Sequence, residues 1–184
     1  LEIAPPEPLQ AIVSFWGIRD ANWFFDFPTS AAKVIEFMEA SKMYKEKNIV
    51  FAGATSLNIR TVENILRAVG PIPLPEYGLT ISRDNLLLEI QREVESGEDK
   101  KAGEPKRILK VLAPLLLEKL NNLAPDQREI LLNAIAADFT NKNIMIYAKT
   151  PALREFFATL DIDGAMYALP HNFWGSYLAV ANAN

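Results

Sequence analysis

Asn48-Ile-Val-Phe-Ala-Gly-Ala54 is a short apolar run between polar residues, and it decides the predicted fold. A run of this length and composition is typical of a buried strand. Residues 57–70 then repeat apolar side chains at spacings of three and four, which predicts a helix that ends at Gly70-Pro71. Residues 71–75 alternate Pro with Ile and Leu, which predicts an edge strand or an extended segment. Strand, helix and extended return form a predicted βαβ unit and indicate an α/β sheet.

The rest of the chain adds helices and two more strands. The predicted helices are 31–47, 82–96, 108–121, a segment that begins at Pro125, and 151–160, and the predicted strands are 143–148 and 176–181. We expect a single α/β domain over residues 1–184, with a mixed central sheet flanked by helices. The helices before and after Pro125 are expected to form a helical hairpin in the second half. Residues 95–105 mix acids, lysines and glycines, which predicts a flexible charged loop.

The composition excludes several classes of function. The 184 residues include 19 basic and 23 acidic side chains and carry a net charge of −4, so the chain has no overall attraction for nucleic acid. The chain has no cysteine and one histidine, which excludes disulfides, thiolate nucleophiles and a multi-histidine metal site. No apolar run reaches about 18 residues, so we expect no membrane span in this sequence. It begins without Met and ends after an apolar run, so we expect a piece of a longer protein.

Aromatic and charged side chains crowd into residues 16–30, which we name the aromatic segment. Arg19 can grip a phosphate or carboxylate through its planar guanidinium, while Asp20 or Asp26 orients Arg19 or holds a metal ion. The alternative is an internal network of ion pairs and turns that fixes the segment to the core, because an unpaired buried charge is costly. The residues alone leave both interpretations open.

The densest basic cluster surrounds the start of the predicted helix 108–121. Its members are Lys100, Lys101, Lys106, Arg107 and Lys110. Lys106 and Arg107 precede the helix, where an anion can also accept hydrogen bonds from free backbone N–H groups. The alternative is solvated charge that the acids of residues 93–99 neutralise.

Arg19-Asp-Ala-Asn-Trp23, followed by Asp26-Phe-Pro-Thr-Ser30 and a helix, resembles the signature of bacterial domain-of-unknown-function family number 4012. Residues 48–70, 71–85 and 177–184 resemble later blocks of the same family. The resemblance implies an extracytoplasmic, cell-envelope-associated domain. It also implies a membrane anchor outside the present sequence.

A weaker resemblance is to the LytR-CpsA-Psr enzymes, which transfer polyprenyl-pyrophosphate-linked glycopolymers to the cell wall. It rests on Arg19-Asp20, the order of the helices and strands that follow, and Lys106-Arg107 before a long helix. This resemblance implies that Arg19, Arg92 and Arg107 converge on a pyrophosphate while an acidic residue carries magnesium. The chain departs from these enzymes at Gln91-Arg92-Glu93, where they carry paired arginines, and at Trp23 and Asp26-Phe-Pro, which they lack.

Two functional hypotheses follow, and the sequence leaves open whether the protein is an enzyme. In the first, Arg19 and Asp20 are catalytic, Asp26 holds magnesium, and a lipid-linked anionic glycan is the ligand. Its predicted ligand-binding residues are Trp23, Arg92, Lys106 and Arg107. In the second hypothesis, the protein is a non-catalytic scaffold module whose Trp16, Trp23 and Trp174 hold a glycan or an envelope protein by stacking.

Overall fold

The computed structural model describes residues 3–104, 106–167, 169 and 172, and the contacts divide the chain into two compact units. The first unit consists of residues 1–56 and 145–184, and the second consists of residues 57–144. The predicted strand 176–181, His171 and Trp174 lie outside the described residues.

The described chain consists mostly of helices, with short strands between them. In chain order they are α1 (Glu7–Gln10), α2 (Phe27–Ala40), α3 (Lys42–Lys45), β1 (Gly53–Leu57), α4 (Ile59–Val69), β2 (Ile72–Leu74), β3 (Leu79–Ile81), α5 (Leu86–Ser96), α6 (Glu98–Lys101), α7 (Arg107–Asn121), α8 (Pro125–Thr140), β4 (Ile144–Ala148) and α9 (Pro151–Thr159). Short 3-10 turns cover Ile18–Asp20 and Pro75–Tyr77. No helix among the described residues is both long and apolar enough to span a bilayer.

In the first unit, α2 packs on the antiparallel pair of β1 and β4. Phe27, Ala31 and Ile35 lie on one side of α2 and are buried together with Tyr147 of β4. Next to this sheet, the amide of Lys149 donates to the carbonyl of Ala52 over 2.8 Å. Phe27, Ala31 and Ile35 are four residues apart, which is the spacing that brings side chains to one face of a helix.

A second cluster of the first unit forms around Trp16. Its ring meets that of Phe37 edge-on, with centroids 5.3 Å apart, and its indole N–H donates to the carbonyl of Asp20 over 2.9 Å. Leu9 and Ala21 are buried in the same cluster. The indole is therefore satisfied inside the protein, as a buried Trp requires.

The second unit is built around the hairpin of β2 and β3. The strands pair antiparallel, with Ile72 opposite Ile81 and Leu74 opposite Leu79, and Gly78 closes the connection in a left-handed conformation (φ 59°). Helices α4, α5 and α7 cover this hairpin, and α8 packs chiefly on α4. The buried core consists of Leu66, Val69, Ile72, Leu74, Ile81, Leu86, Ile108, Leu112 and Leu123.

The structure confirms the mixed α/β class, in which helices accompany small sheets. The predicted βαβ unit is wrong: among the described strands, β1 pairs with β4 and β2 pairs with β3, in two separate two-stranded sheets. The cause is local, because β2 reaches β3 through a short turn, and closing a short loop costs less entropy than a crossover. Helices α7 and α8 follow each other closely, as the hairpin prediction requires.

Several boundaries differ from the sequence predictions. The predicted helix 31–47 begins earlier, as α2 (Phe27–Ala40), and is followed by the separate short helix α3 (Lys42–Lys45). The predicted helix 82–96 begins later, at Leu86. The predicted strand 48–54 begins five residues earlier and ends three residues earlier than β1 (Gly53–Leu57). The segment predicted as a flexible charged loop, 95–105, contains the end of α5 and all of α6. Its charges are internally bonded: Lys101 pairs with Glu98, and Lys100 Nζ donates to the carbonyl of Glu95.

We predict that Gly53→Ala destabilises the first unit. A Cβ at this position would overlap the carbonyl oxygen of Tyr147 on β4, and backbone cannot move aside as a flexible side chain does. We expect the free energy of unfolding in urea to fall by about 1–3 kcal/mol.

Gly17→Ala is the matched control, because a Cβ at Gly17 has no atom within 4 Å. Equal stability of the two variants would contradict the close approach of β1 to β4.

Candidate functional site

An open groove of about 500 Å³ in the first unit is lined by part of the aromatic segment. The lining residues are Asn22, Trp23, Phe24, Phe25, Asp26, Thr29 and Met166. Trp23, Phe24 and Phe25 are 41%, 37% and 56% exposed, so three consecutive aromatic rings are accessible to solvent. Soluble proteins usually bury such side chains, and a contiguous exposed group of them indicates a binding surface.

The carboxylate of Asp26 fixes the wall of this groove. Asp26 is the N-cap of α2, and its Oδ2 accepts hydrogen bonds from the backbone N–H of Thr29, over 2.9 Å, and from the Thr29 hydroxyl. Its Oδ1 accepts the backbone N–H of Met166 over 3.0 Å. A single side chain thus begins the helix and joins two distant parts of the groove.

Ser30 holds the aromatic residues from the helix side. Its fully buried hydroxyl accepts the backbone N–H of Phe24 over 3.1 Å and donates to the carbonyl of Phe24 over 2.9 Å. Both backbone groups of Phe24 are satisfied inside the protein, and its ring meets that of Trp16 edge-on, with centroids 6.1 Å apart, while it remains partly exposed.

Asp26 carries its charge at neutral pH. Partial burial by itself would raise the pKa of the carboxyl group, but the hydrogen bonds from the Thr29 hydroxyl and the Met166 and Thr29 amides favour the ionised form. The pKa of Asp26 consequently lies below its ordinary value of 3.8.

The predicted metal role of Asp26 finds no companion ligands in the described part of the chain. No three His, Cys, Asp or Glu side chains there lie close enough together to hold a metal ion. The structure gives Asp26 a capping role, whereas its role as a magnesium ligand stays a prediction.

The predicted catalytic pair lies in the 3-10 turn Ile18–Asp20, and neither member lines the aromatic groove. Arg19 is exposed, and the structure shows no ion pair for its guanidinium with any described residue. The backbone carbonyl of Asp20 accepts the indole N–H of Trp16, which anchors the turn to the core.

Arg107 belongs to the second unit and is held by acidic side chains. Its Nη2 lies 2.6 Å from Glu76 Oε2, its Nη1 lies 3.3 Å from Asp99 Oδ1, and its guanidinium stacks over the ring of Tyr77. Asp99 is only 4% exposed and also accepts the Tyr77 hydroxyl over 2.6 Å. This network joins the turn after β2, α6 and the start of α7.

The other two predicted anion ligands of the second unit are Arg92, which also pairs with acidic side chains, and Lys106, which is exposed. Arg92 Nη2 lies 2.8 Å from Glu89 and 3.4 Å from Glu93. Lys106 is exposed directly before α7. Because carboxylates already occupy the guanidinium donors of Arg92 and Arg107, these two side chains are poorly placed to receive a pyrophosphate.

The sequence prediction named Trp23 and Asp26 but missed five residues of the groove: Asn22, Phe24, Phe25, Thr29 and Met166. One pattern in the sequence pointed to part of this set, because three consecutive aromatic residues cannot all face the core of a helix or a strand. Met166 carries no such pattern, since it reaches Asp26 from 140 residues away.

Comparison of the chain with protein-family models, with curated proteins and with solved structures gave no match. The geometry of the two units therefore carries the functional argument.

We predict that Tyr77 loses its proton at a higher pH than a free tyrosine does. We also predict that the second unit becomes less stable when this proton is lost. Burial and the bond to Asp99 raise the pKa of Tyr77 from 10.0 to about 12 in the folded protein. Because the folded pKa is the higher one, the contribution of Tyr77 to stability is complete below about pH 10 and is lost as the pH rises through about 12.

Tyr77→Phe tests this network. It removes the donor to Asp99 and should lower the free energy of unfolding at neutral pH by about 1–2 kcal/mol, with a smaller loss at high pH. Tyr44→Phe is the control, since the Tyr44 ring packs on Phe51 outside the network. Equal effects of both variants, or a Tyr77 that titrates near pH 10.0 in absorbance, would contradict the assignment.

Proposed function

We propose that this chain is a non-catalytic, glycan-binding module of an extracytoplasmic protein associated with the cell envelope. The observation that supports the proposal most is the groove in which Trp23, Phe24 and Phe25 are exposed together. The location follows the resemblance of the aromatic segment to envelope proteins, and any membrane anchor would belong to a segment outside this sequence.

Aromatic rings suit a sugar ligand for a physical reason. The C–H faces of a sugar ring are apolar, so they pack on Trp or Phe while the hydroxyl groups at the rim remain hydrated. The groove volume of about 500 Å³ falls within the roughly 300–1,000 Å³ of ordinary ligand sites. Asn22 adds an amide at the rim that can donate to and accept from sugar hydroxyls.

The groove does not have the composition of a phosphoryl-transfer site. Such sites place arginines, lysines and metal ions around the phosphoryl oxygens. The described part of the lining contains no basic residue, and the one acid in it, Asp26, is held by the helix cap. These features favour binding without turnover.

We predict that Trp23→Ala weakens the binding of cell-wall oligosaccharides at least about tenfold, because it removes the largest stacking surface of the groove. Isothermal titration against a panel of such oligosaccharides measures the change, and circular dichroism checks the fold. Phe156→Ala is the matched control: Phe156 is 55% exposed in the same unit but does not line the groove.

Equal losses of oligosaccharide affinity in Trp23→Ala and Phe156→Ala would contradict a specific role of the groove. Failure of the wild-type protein to bind any oligosaccharide, combined with capture of an envelope protein that Trp23→Ala abolishes, would make the module a protein-binding scaffold instead.

One observation favours the phosphotransferase hypothesis, namely that Arg19 is exposed without an ion pair to any described residue. The proposal of a non-catalytic module predicts that a polyprenyl pyrophosphate analogue shows no magnesium-dependent binding. Arg19→Ala and Arg154→Ala are the paired variants, since Arg154 is an exposed arginine of the same unit. Magnesium-dependent binding that only Arg19→Ala abolishes would replace the proposal with the phosphotransferase hypothesis.

A further inference from the structure

The described lining of the groove is negatively charged as well as aromatic. Among the lining residues that the structure describes, Asp26 is the only ionisable side chain, and none is Lys, Arg or His. The electrostatic preference of a site is set by such fixed charges together with the rings that face it.

We propose that the groove selects glycans that carry a positively charged amino group, as unacetylated amino sugars do. This inference rests on the proposed function, and it names the chemical class of the ligand.

The aromatic rings and the Asp26 carboxylate both favour a positively charged ligand. The faces of the Trp23, Phe24 and Phe25 rings are regions of negative potential, so each attracts an ammonium group placed over it. Asp26 adds a full negative charge at the wall of the same groove. A neutral sugar gains only the stacking contacts, while an anionic sugar or a pyrophosphate is repelled by both features.

The carboxylate of Asp26 also has one lone-pair direction left that can accept a hydrogen bond from the ligand. A carboxylate offers roughly four lone-pair directions. The Thr29 amide, the Thr29 hydroxyl and the Met166 amide occupy three of them. An ammonium group that approaches from the groove can donate to the fourth. The hydrogen bonds that hold the charge of Asp26 thus also orient the remaining acceptor.

The test compares two ligands with the same backbone: an oligosaccharide of glucosamine and its fully N-acetylated form of equal length. The pH is chosen so that the amino groups are charged and Asp26 is ionised. We expect the wild-type protein to bind the glucosamine form about five- to tenfold more tightly, as judged by isothermal titration and by the fluorescence of the half-exposed Trp23.

Asp26→Asn removes the charge and keeps the N-cap. Asn is also a good N-cap, so we expect α2 to begin normally, but an amide NH2 cannot accept the Met166 N–H as Asp26 Oδ1 does. Binding of the acetylated oligosaccharide therefore checks that the groove persists in this variant, and where it persists the preference should fall to about twofold or less. Glu155→Gln is the matched control, because it removes an exposed carboxylate of the same unit outside the groove. It should retain the full preference.

Salt provides a measurement that needs no variant. At about 1 M salt the Debye length is about 3 Å, so the preference of the wild-type protein should shrink while binding of the acetylated form changes little.

The outcomes separate this inference from the proposed function. Equal binding of the two oligosaccharides, or a preference for the acetylated form, overturns the inference and leaves the glycan-binding module in place. A preference that Asp26→Asn retains also overturns the inference. Failure of both oligosaccharides to bind overturns the inference and counts against the module itself.

Discussion

The carboxylate of Asp26 is the contact on which the groove depends. It accepts hydrogen bonds from Thr29, at the first turn of α2, and from Met166, which follows the last described helix. Without this acceptor at the N-cap, the backbone N–H of Thr29 would lack a partner, whereas that of Phe27 donates to the carbonyl of Gly164 over 3.2 Å. Met166 would lose its connection to the aromatic segment as well. The same hydrogen bonds keep the side chain ionised, so one capping interaction sets the shape of the groove and also its charge.

In the second unit, charged side chains likewise hold helices and turns together. Asp99 is buried and is bonded to both Tyr77 and Arg107, and Arg107 also pairs with Glu76. A buried carboxylate needs such partners, because an uncompensated charge in the interior is strongly destabilising. These contacts give Arg107, the first residue of α7, a structural role in the fold, while its role as an anion ligand stays a prediction.

Sequence reasoning succeeded where the deciding residues are neighbours along the chain. The apolar repeat before Gly70 predicts α4, and Thr150-Pro151 predicts the start of α9. Pairing of strands depends instead on distant contacts, so β1 was predicted beside β2 although it pairs with β4. For the site, Trp23 and Asp26 stand out by residue type. The cap formed by Asp26 follows from a local rule for Ser, Thr, Asp and Asn before a helix, but the predicted helix began at residue 31, four residues after the start of α2 at Phe27. The Met166 contact cannot be inferred from local sequence.

The arrangement of charges is what distinguishes binding from phosphoryl transfer in the first unit. Phosphoryl transfer requires positive groups around the phosphoryl oxygens, because the transition state carries its charge there. In the groove, the fixed charge has the opposite sign, and the surrounding surface is aromatic. A pyrophosphate would lose its hydration and would gain no cation among the described lining residues in return, and the cost of this desolvation is large for any multiply charged group. An ammonium-bearing sugar instead exchanges hydration for a carboxylate and for aromatic faces, so the charge that disfavours catalysis favours recognition of a cationic glycan.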